Sequence, residues 1–214
     1  MKIVIFGAEH IVGQLVIEKA LKTGHEVVAF VTKNKGLTIN HSHLKVTNGS
    51  LTNKEEVKAC LHGADAVIST LKPKLSMTRS INNLPVAKAH EIIMESMEEL
   101  SITRFITLGS TTISAKEDVQ QIVTVFPKKI VKMLFPTAYY EMKEINQLLN
   151  QSSLDWTVVR ATKTNKSRTT GYKLSFGDTL GEVNVSYENV AQCLIDAIGK
   201  KVWYKKMPIV FNQR

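Results

Sequence analysis

Up to Leu108 the apolar positions alternate between short continuous runs and helical spacing. Lys2–Phe6 is a run of the buried-strand type, and Val12–Lys22 follows with Val12, Leu15, Val16 and Ala20 at helical intervals. Gly24 closes that helix, a common device just past a C-terminus. Glu26–Val31 (EVVAFV) is a second strand and Leu44–Thr47 a short third. Asn53–His62 reads as a helix with Val57, Cys60 and Leu61 on one side, and Ala64–Leu71 (ADAVISTL) as a fourth strand. Pro85–Leu100 is a long helix carrying Ala89, Ile92, Ile93 and Met97, and Arg104–Leu108 is a fifth strand. Continuous apolar strands separated by helices imply a parallel sheet covered on both faces. Right-handed crossovers make such a sheet doubly wound, with the order 3-2-1-4-5-6.

Beyond Leu108 the pattern loosens. Val119–Phe135 is apolar and basic, broken by Pro127 and ended by Pro136; a lid over a substrate, a dimer surface and a helical core element all fit it. Tyr139–Gln151 is a helix with Met142, Ile145, Leu148 and Leu149 inward, and Asp155–Arg160 (DWTVVR) is a sixth strand. Thr162–Val185, with Gly171, Gly177 and Gly181, reads as loop; Tyr187–Ile198 is a helix and Met207–Phe211 a candidate seventh strand. No repeat, low-complexity tract or linker divides the chain. Residues 1–214 are expected to form one α/β, Rossmann-like domain, with the part from residue 110 onward supplying the substrate-side cap.

Composition narrows the class. The chain has 214 residues, 43% hydrophobic and 22% charged, as in ordinary soluble domains. No apolar run approaches the roughly 18 residues of a membrane span. The run Ile3–Phe6 is too short for a signal sequence, so a cytoplasmic location is expected. Cys60 and Cys193 lie far apart and read as buried thiols. The six histidines show no metal-ligand spacing, and no metal is expected. The net charge of +9 comes from scattered lysines without aromatic interleaving, so a solvated surface is preferred over nucleic-acid binding.

The first strand runs into Gly7-Ala8-Glu9-His10-Ile11-Val12-Gly13, which opens the first helix. A helix N-terminus has unpaired amides and a partial positive charge, which suit a pyrophosphate. Gly7 permits the tight turn and Gly13 the close packing of helix on strand. The middle glycine of the usual fingerprint is absent, and His10 stands there; its Cβ crowds a pyrophosphate, while a protonated imidazole contacts it. The second strand ends Val31-Thr32-Lys33-Asn34-Lys35, without the acid that typically bonds the ribose of NAD. A hydroxyl and two lysines favour a 2′-phosphate, so NADP is expected ahead of NAD.

These pieces resemble the atypical short-chain dehydrogenase/reductases of the NmrA-like group, which includes the biliverdin/flavin reductase type. KIVIFGAEHIVG resembles that group's KIxxFGATGxxG; GADAVIST, ITRFITLGST, SSLDWTVVRAT and Ser186-Tyr187-Glu188-Asn189-Val190-Ala191 are similar to its later motifs in the same order. The resemblance implies that Gly7, Ala8, Ile11 and Val12, with His10 beside them, line the pyrophosphate. It implies that Thr32 and Lys33 hold the 2′-phosphate and that Ser50 lies near the adenine. It further implies that Ser69, Thr70 and Leu71 flank the ribose, and that Gly109, Ser110 and Thr111 face the nicotinamide. Asn189 and Ser50 replace acids usual in the group.

Carbonyl reduction needs a hydride donor and an acid. Tyr139 and Lys143 have the Tyr-x-x-x-Lys spacing, one helical turn, in which the lysine lowers the tyrosine pKa; Ser110 completes a catalytic set. Counted back from SSLDWTVVR, however, the group's lysine falls nearer Met142. Flavin-type reductases need less, because the cofactor carries the chemistry. The leading expectation is an NADP(H)-dependent oxidoreductase acting on a flavin, quinone or small carbonyl, as monomer or homodimer. The alternatives are a non-catalytic NADP(H)-sensing regulator and a fold that has lost its cofactor.

Overall fold

The computed structural model describes residues 1–213 apart from 33–36, 78–82, 119–129, 168, 170 and 177–183. Six strands are parallel: β1 (Lys2–Phe6), β2 (Glu26–Val31), β3 (Leu44–Asn48), β4 (Ala66–Ser69), β5 (Arg104–Ser110) and β6 (Asp155–Ala161). They lie in the expected order 3-2-1-4-5-6. Three further short strands lie in the stretch expected to be loop: β7 (Lys163–Asn165), β8 (Tyr172–Ser175) and β9 (Asn184–Ser186). Each has only three or four residues, too few for a period of two to register, and each is specified by a distant partner. The seventh strand of the main sheet, β10 (Ile209–Asn212), runs parallel to β6 and antiparallel to β8, while β7 pairs with β9 separately.

The helices are α1 (Ile11–Lys22), α2 (Lys54–Leu61), α3 (Pro85–Glu99), α4 (Pro136–Gln151) and α5 (Tyr187–Asp196). Successive strand residues point to opposite faces. Ile3, Ile5, Val27, Ala29, Ile68 and Ile106 meet α1 and α5 on one side. Val4, Phe6, Val28, Phe30, Val67 and Phe105 meet α2, α3 and α4 on the other. Burial on both faces is why the strands read as unbroken apolar runs.

Helix boundaries follow local chemistry. Asn53 caps α2, its side chain accepting from the amides of Glu55 (3.2 Å) and Glu56 (3.3 Å). Ser186 caps α5 through the Asn189 amide at 3.1 Å. α4 starts at Pro136, three residues before the Tyr139 predicted from sequence, because a proline at the first helical position forfeits only an amide with no intrahelical partner.

Candidate dinucleotide site

The corner between β1 and α1 has no room for side chains at its glycines. Gly7 has φ +79°, and a Cβ there would lie 2.6 Å from Thr70 Oγ1 and 3.0 Å from the Leu71 amide. A Cβ on Gly13 would lie 2.3 Å from the Gly7 carbonyl oxygen. The Thr70 hydroxyl is occupied in holding this corner, 2.9 Å from the Gly7 carbonyl and 3.2 Å from that of Phe6. Ala8 and Val12 are buried, whereas His10 and Ile11 are exposed. His10 is the N-cap of α1 with φ −89° and ψ 154°, a conformation that requires no glycine. Its side chain makes no capping bond, and no acid stands in the first turn of α1, so the positive end of the helix is not neutralised by its own side chains.

Beside this corner a cavity of about 690 Å³ opens over the C-terminal ends of β2, β3 and β4. Thr32, Gly49, Ser50, Leu71, Pro85 and Val86 are among its lining residues. Gly49 is needed there: a Cβ would lie 2.7 Å from the Phe30 ring and 2.8 Å from Glu56 Oε2. The Ser50 amide donates to Glu56 Oε2 at 2.6 Å, and the Ser50 hydroxyl pairs with that of Thr52 at 2.8 Å. Thr32 Oγ1 donates to Glu9 Oε1 at 2.9 Å. Lys33 lies outside the described residues, as does 119–129 of the candidate lid. A larger cleft of about 830 Å³ runs along β3 past Lys2, Glu26 and Cys60, towards the opposite ends of the strands and away from the glycine corner.

The third part of the site is the end of β5. The Ser110 hydroxyl pairs with Thr112, and Gly109 admits the Val158 side chain, whose Cγ1 would lie 2.5 Å from a Cβ. Thr111 is buried directly after β5. Tyr139 packs edge-on against Tyr140, centroids 5.4 Å apart, with Lys132 Nζ 5.6 Å from its ring centre. Lys143 is exposed, while Ala138, Glu141, Met142 and Ile145 form the buried face of α4. No hydrogen bond joins any two of Ser110, Tyr139 and Lys143 among the described residues.

Four arrangements near the site carry no sequence signature. Glu9 reaches across to Thr32. His90, fully buried on α3, donates from Nδ1 to the Val86 carbonyl at 2.8 Å, leaving Nε2 for the hydroxyls of Ser69 (3.1 Å) and Thr107 (3.2 Å). Burial pushes its pKa down to about 4, so the imidazole is neutral. Glu141 accepts from the Val86 and Ala87 amides at 3.1 and 2.6 Å, supplying the anion that the first turn of α3 lacks. Burial raises the Glu141 pKa more than these bonds lower it. Finally, Arg160 in β6 forms a bidentate pair with Asp118, Nη1 at 2.7 Å and Nη2 at 2.6 Å, and also donates to the Ile113 and Met207 carbonyls. It thereby pins the loop that follows β5.

A doubly wound sheet with a glycine corner at its first crossover, and a cavity at the neighbouring strand ends, defines a dinucleotide-binding domain. The corner fits that ligand, because the two glycines let the strand end and the helix start pack closely and the first turn of α1 has neither a side-chain cap nor an acid. The chain belongs to the NAD(P)H-binding family, whose model matches residues 7–201. Among solved structures it is similar to the oxidoreductase ylbE from Lactococcus lactis, with 20% identity, TM-score 0.77, and 100% of this chain and 92% of that one covered. It is also similar to a short-chain dehydrogenase/reductase from Veillonella parvula in complex with NADP (18%, TM-score 0.79, covering 99% and 94%). A third similar structure is ChuY, an anaerobillin reductase from Escherichia coli O157:H7 (19%, TM-score 0.78, covering 99% and 97%). No curated protein matches the chain. Among the described residues no helix is long and apolar enough to cross a membrane, and no group of His, Cys, Asp and Glu could hold a metal ion.

Proposed function

We propose that the chain is an NADP(H)-dependent oxidoreductase that passes hydride to a flavin, quinone or small carbonyl compound. The observation that carries this reading is the corner where Thr70 clamps the Gly7 carbonyl and Gly13 packs within van der Waals contact of it. Bound there, the cofactor supplies hydride from its nicotinamide ring. This chain's residues then bind and orient: Gly7, Ala8, His10, Ile11 and Val12 at the pyrophosphate, Thr32 and Lys33 at the 2′-phosphate, Ser50 and Leu71 at the adenosine, Gly109 and Ser110 at the nicotinamide. The lysines that follow β2 in the sequence favour NADP(H) electrostatically.

The exposed position of Lys143 favours a flavin or quinone over a carbonyl compound, because such acceptors need no tyrosine poised by a lysine as acid. Oxidation of NADPH is followed with FMN, quinones and aldehydes for the wild type and Lys143→Met. Flavin or quinone turnover should be the same in both proteins. Aldehyde turnover that falls about a hundredfold or more in the variant would instead assign Tyr139 and Lys143 as the acid pair. The same exposure supports a second reading, a cofactor-sensing regulator without chemistry. Tight NADPH binding with no turnover across that panel, and a partner whose affinity follows the NADP/NADPH ratio, is its signature.

A further inference from the structure

The end of β2 lacks the acid that discriminates the adenosine ribose in many dinucleotide domains. An acid nevertheless stands over that strand end, supplied from the opposite side. Glu9 belongs to the glycine corner, and Thr32 directly follows β2; the 2.9 Å bond between them brings the carboxylate across to the strand end. Only Oε1 is used. Oε2 is shielded from solvent and has no hydrogen-bond partner among the described residues. A carboxylate oxygen without a donor is costly to bury, on the order of 1–3 kcal/mol even before its charge is considered, so a turn of the side chain that brings this oxygen to a ligand donor is favoured. Thr32 also lines the 690 Å³ cavity that continues towards Ser50 and Leu71. The adenosine ribose of a dinucleotide whose pyrophosphate sits at Gly7–Gly13 comes to this place.

We propose that Glu9 is the residue that sets dinucleotide specificity, resting on the reading that the cofactor occupies this corner. Turned towards the cavity, its unpaired oxygen accepts the ribose 2′-hydroxyl of NAD(H). Against NADP(H) the same oxygen meets a phosphate, and two anions in a partly desolvated contact repel. The lysines that follow β2 in the sequence favour a phosphate by charge and Glu9 opposes it, so the chain takes both cofactors with a narrow preference. The similar group's GATG carries threonine where this chain has Glu9, which identifies the substitution that removes the repulsion.

The test is calorimetric titration of NADPH and NADH into the wild type, Glu9→Gln and Glu9→Thr, with unliganded melting curves recorded for all three. Both variants should bind NADPH about tenfold more tightly and NADH no more tightly than the wild type. Glutamine keeps an acceptor for Thr32, so its melting temperature should remain close to the wild-type value. NADPH and NADH affinities that are unchanged, or that move together, would overturn the proposal while leaving the cofactor site in place. Failure of all three folded proteins to bind either dinucleotide would overturn the site assignment as well.

Discussion

At the scale of single residues, His90 is the clearest case of a group whose environment decides its chemistry. Its ring is enclosed by Val86, Ser69 and Thr107, and burial moves its pKa from 6.5 to about 4. Between those values the unfolded chain binds a proton that the folded chain refuses. Stability from His90 is therefore complete above pH 6.5 and is lost as pH falls towards 4. The full contribution is about 3 kcal/mol. Urea unfolding at pH 7 and at pH 4.5 should show the wild type losing more stability on acidification than His90→Gln, which presents no titrating group. Equal losses in the two proteins would exclude His90 as the source. The Ser69 hydroxyl, 3.1 Å from Nε2 and 3.4 Å from the Leu71 amide, ties this histidine to the cavity wall at Leu71.

At the scale of elements, β6 and the loop after β5 are joined by Arg160 and Asp118. Arg160 is 0% exposed, and among the described residues its guanidinium forms a salt bridge with Asp118 alone. Asp118→Asn leaves a buried charge uncompensated and should cost about 3 kcal/mol, read as a lower urea midpoint. The loop it frees carries Thr111 and Thr112, so the Michaelis constant for the acceptor should rise by more than the dissociation constant for NADPH. A variant with unaltered stability would remove the pair from this role. The elements themselves were largely legible: all six strands of the parallel order, and five helices, follow from apolar period and capping chemistry. What was illegible depended on pairs distant in sequence. Arg160 lies inside DWTVVR and looks like the polar end of a strand, yet Asp118, forty-two positions away, makes its burial tolerable. Glu9 in the glycine corner likewise reads as an awkward anion until Thr32 is seen beside it. The short β7, β8 and β9 carry no period because sheet partners, not alternation, define them.

At the scale of the whole molecule, cofactor binding is linked to global stability, since the site draws on β1, α1, β2, β4 and β5 and vanishes when the chain unfolds. At a hundred times its dissociation constant, a dinucleotide adds about 2.7 kcal/mol. For a chain of this size that raises the melting temperature by about 5–10 °C. Melting curves with NADPH and with NADH should both shift upward, whereas flavin alone in the absence of dinucleotide should not reproduce the effect. A curve unmoved by either dinucleotide at saturating concentration would contradict the assignment of the corner.

Glu141 joins two of the elements around the cavity. The carboxylate stands on α4, two residues past Tyr139, and grips the amides that begin α3, where Pro85 and Val86 form part of the wall of the 690 Å³ cavity. The helix that carries Tyr139 and the wall of the cavity are thus joined through one side chain. Those two bonds fix the start of α3, and with it that part of the cavity wall, to the position of α4.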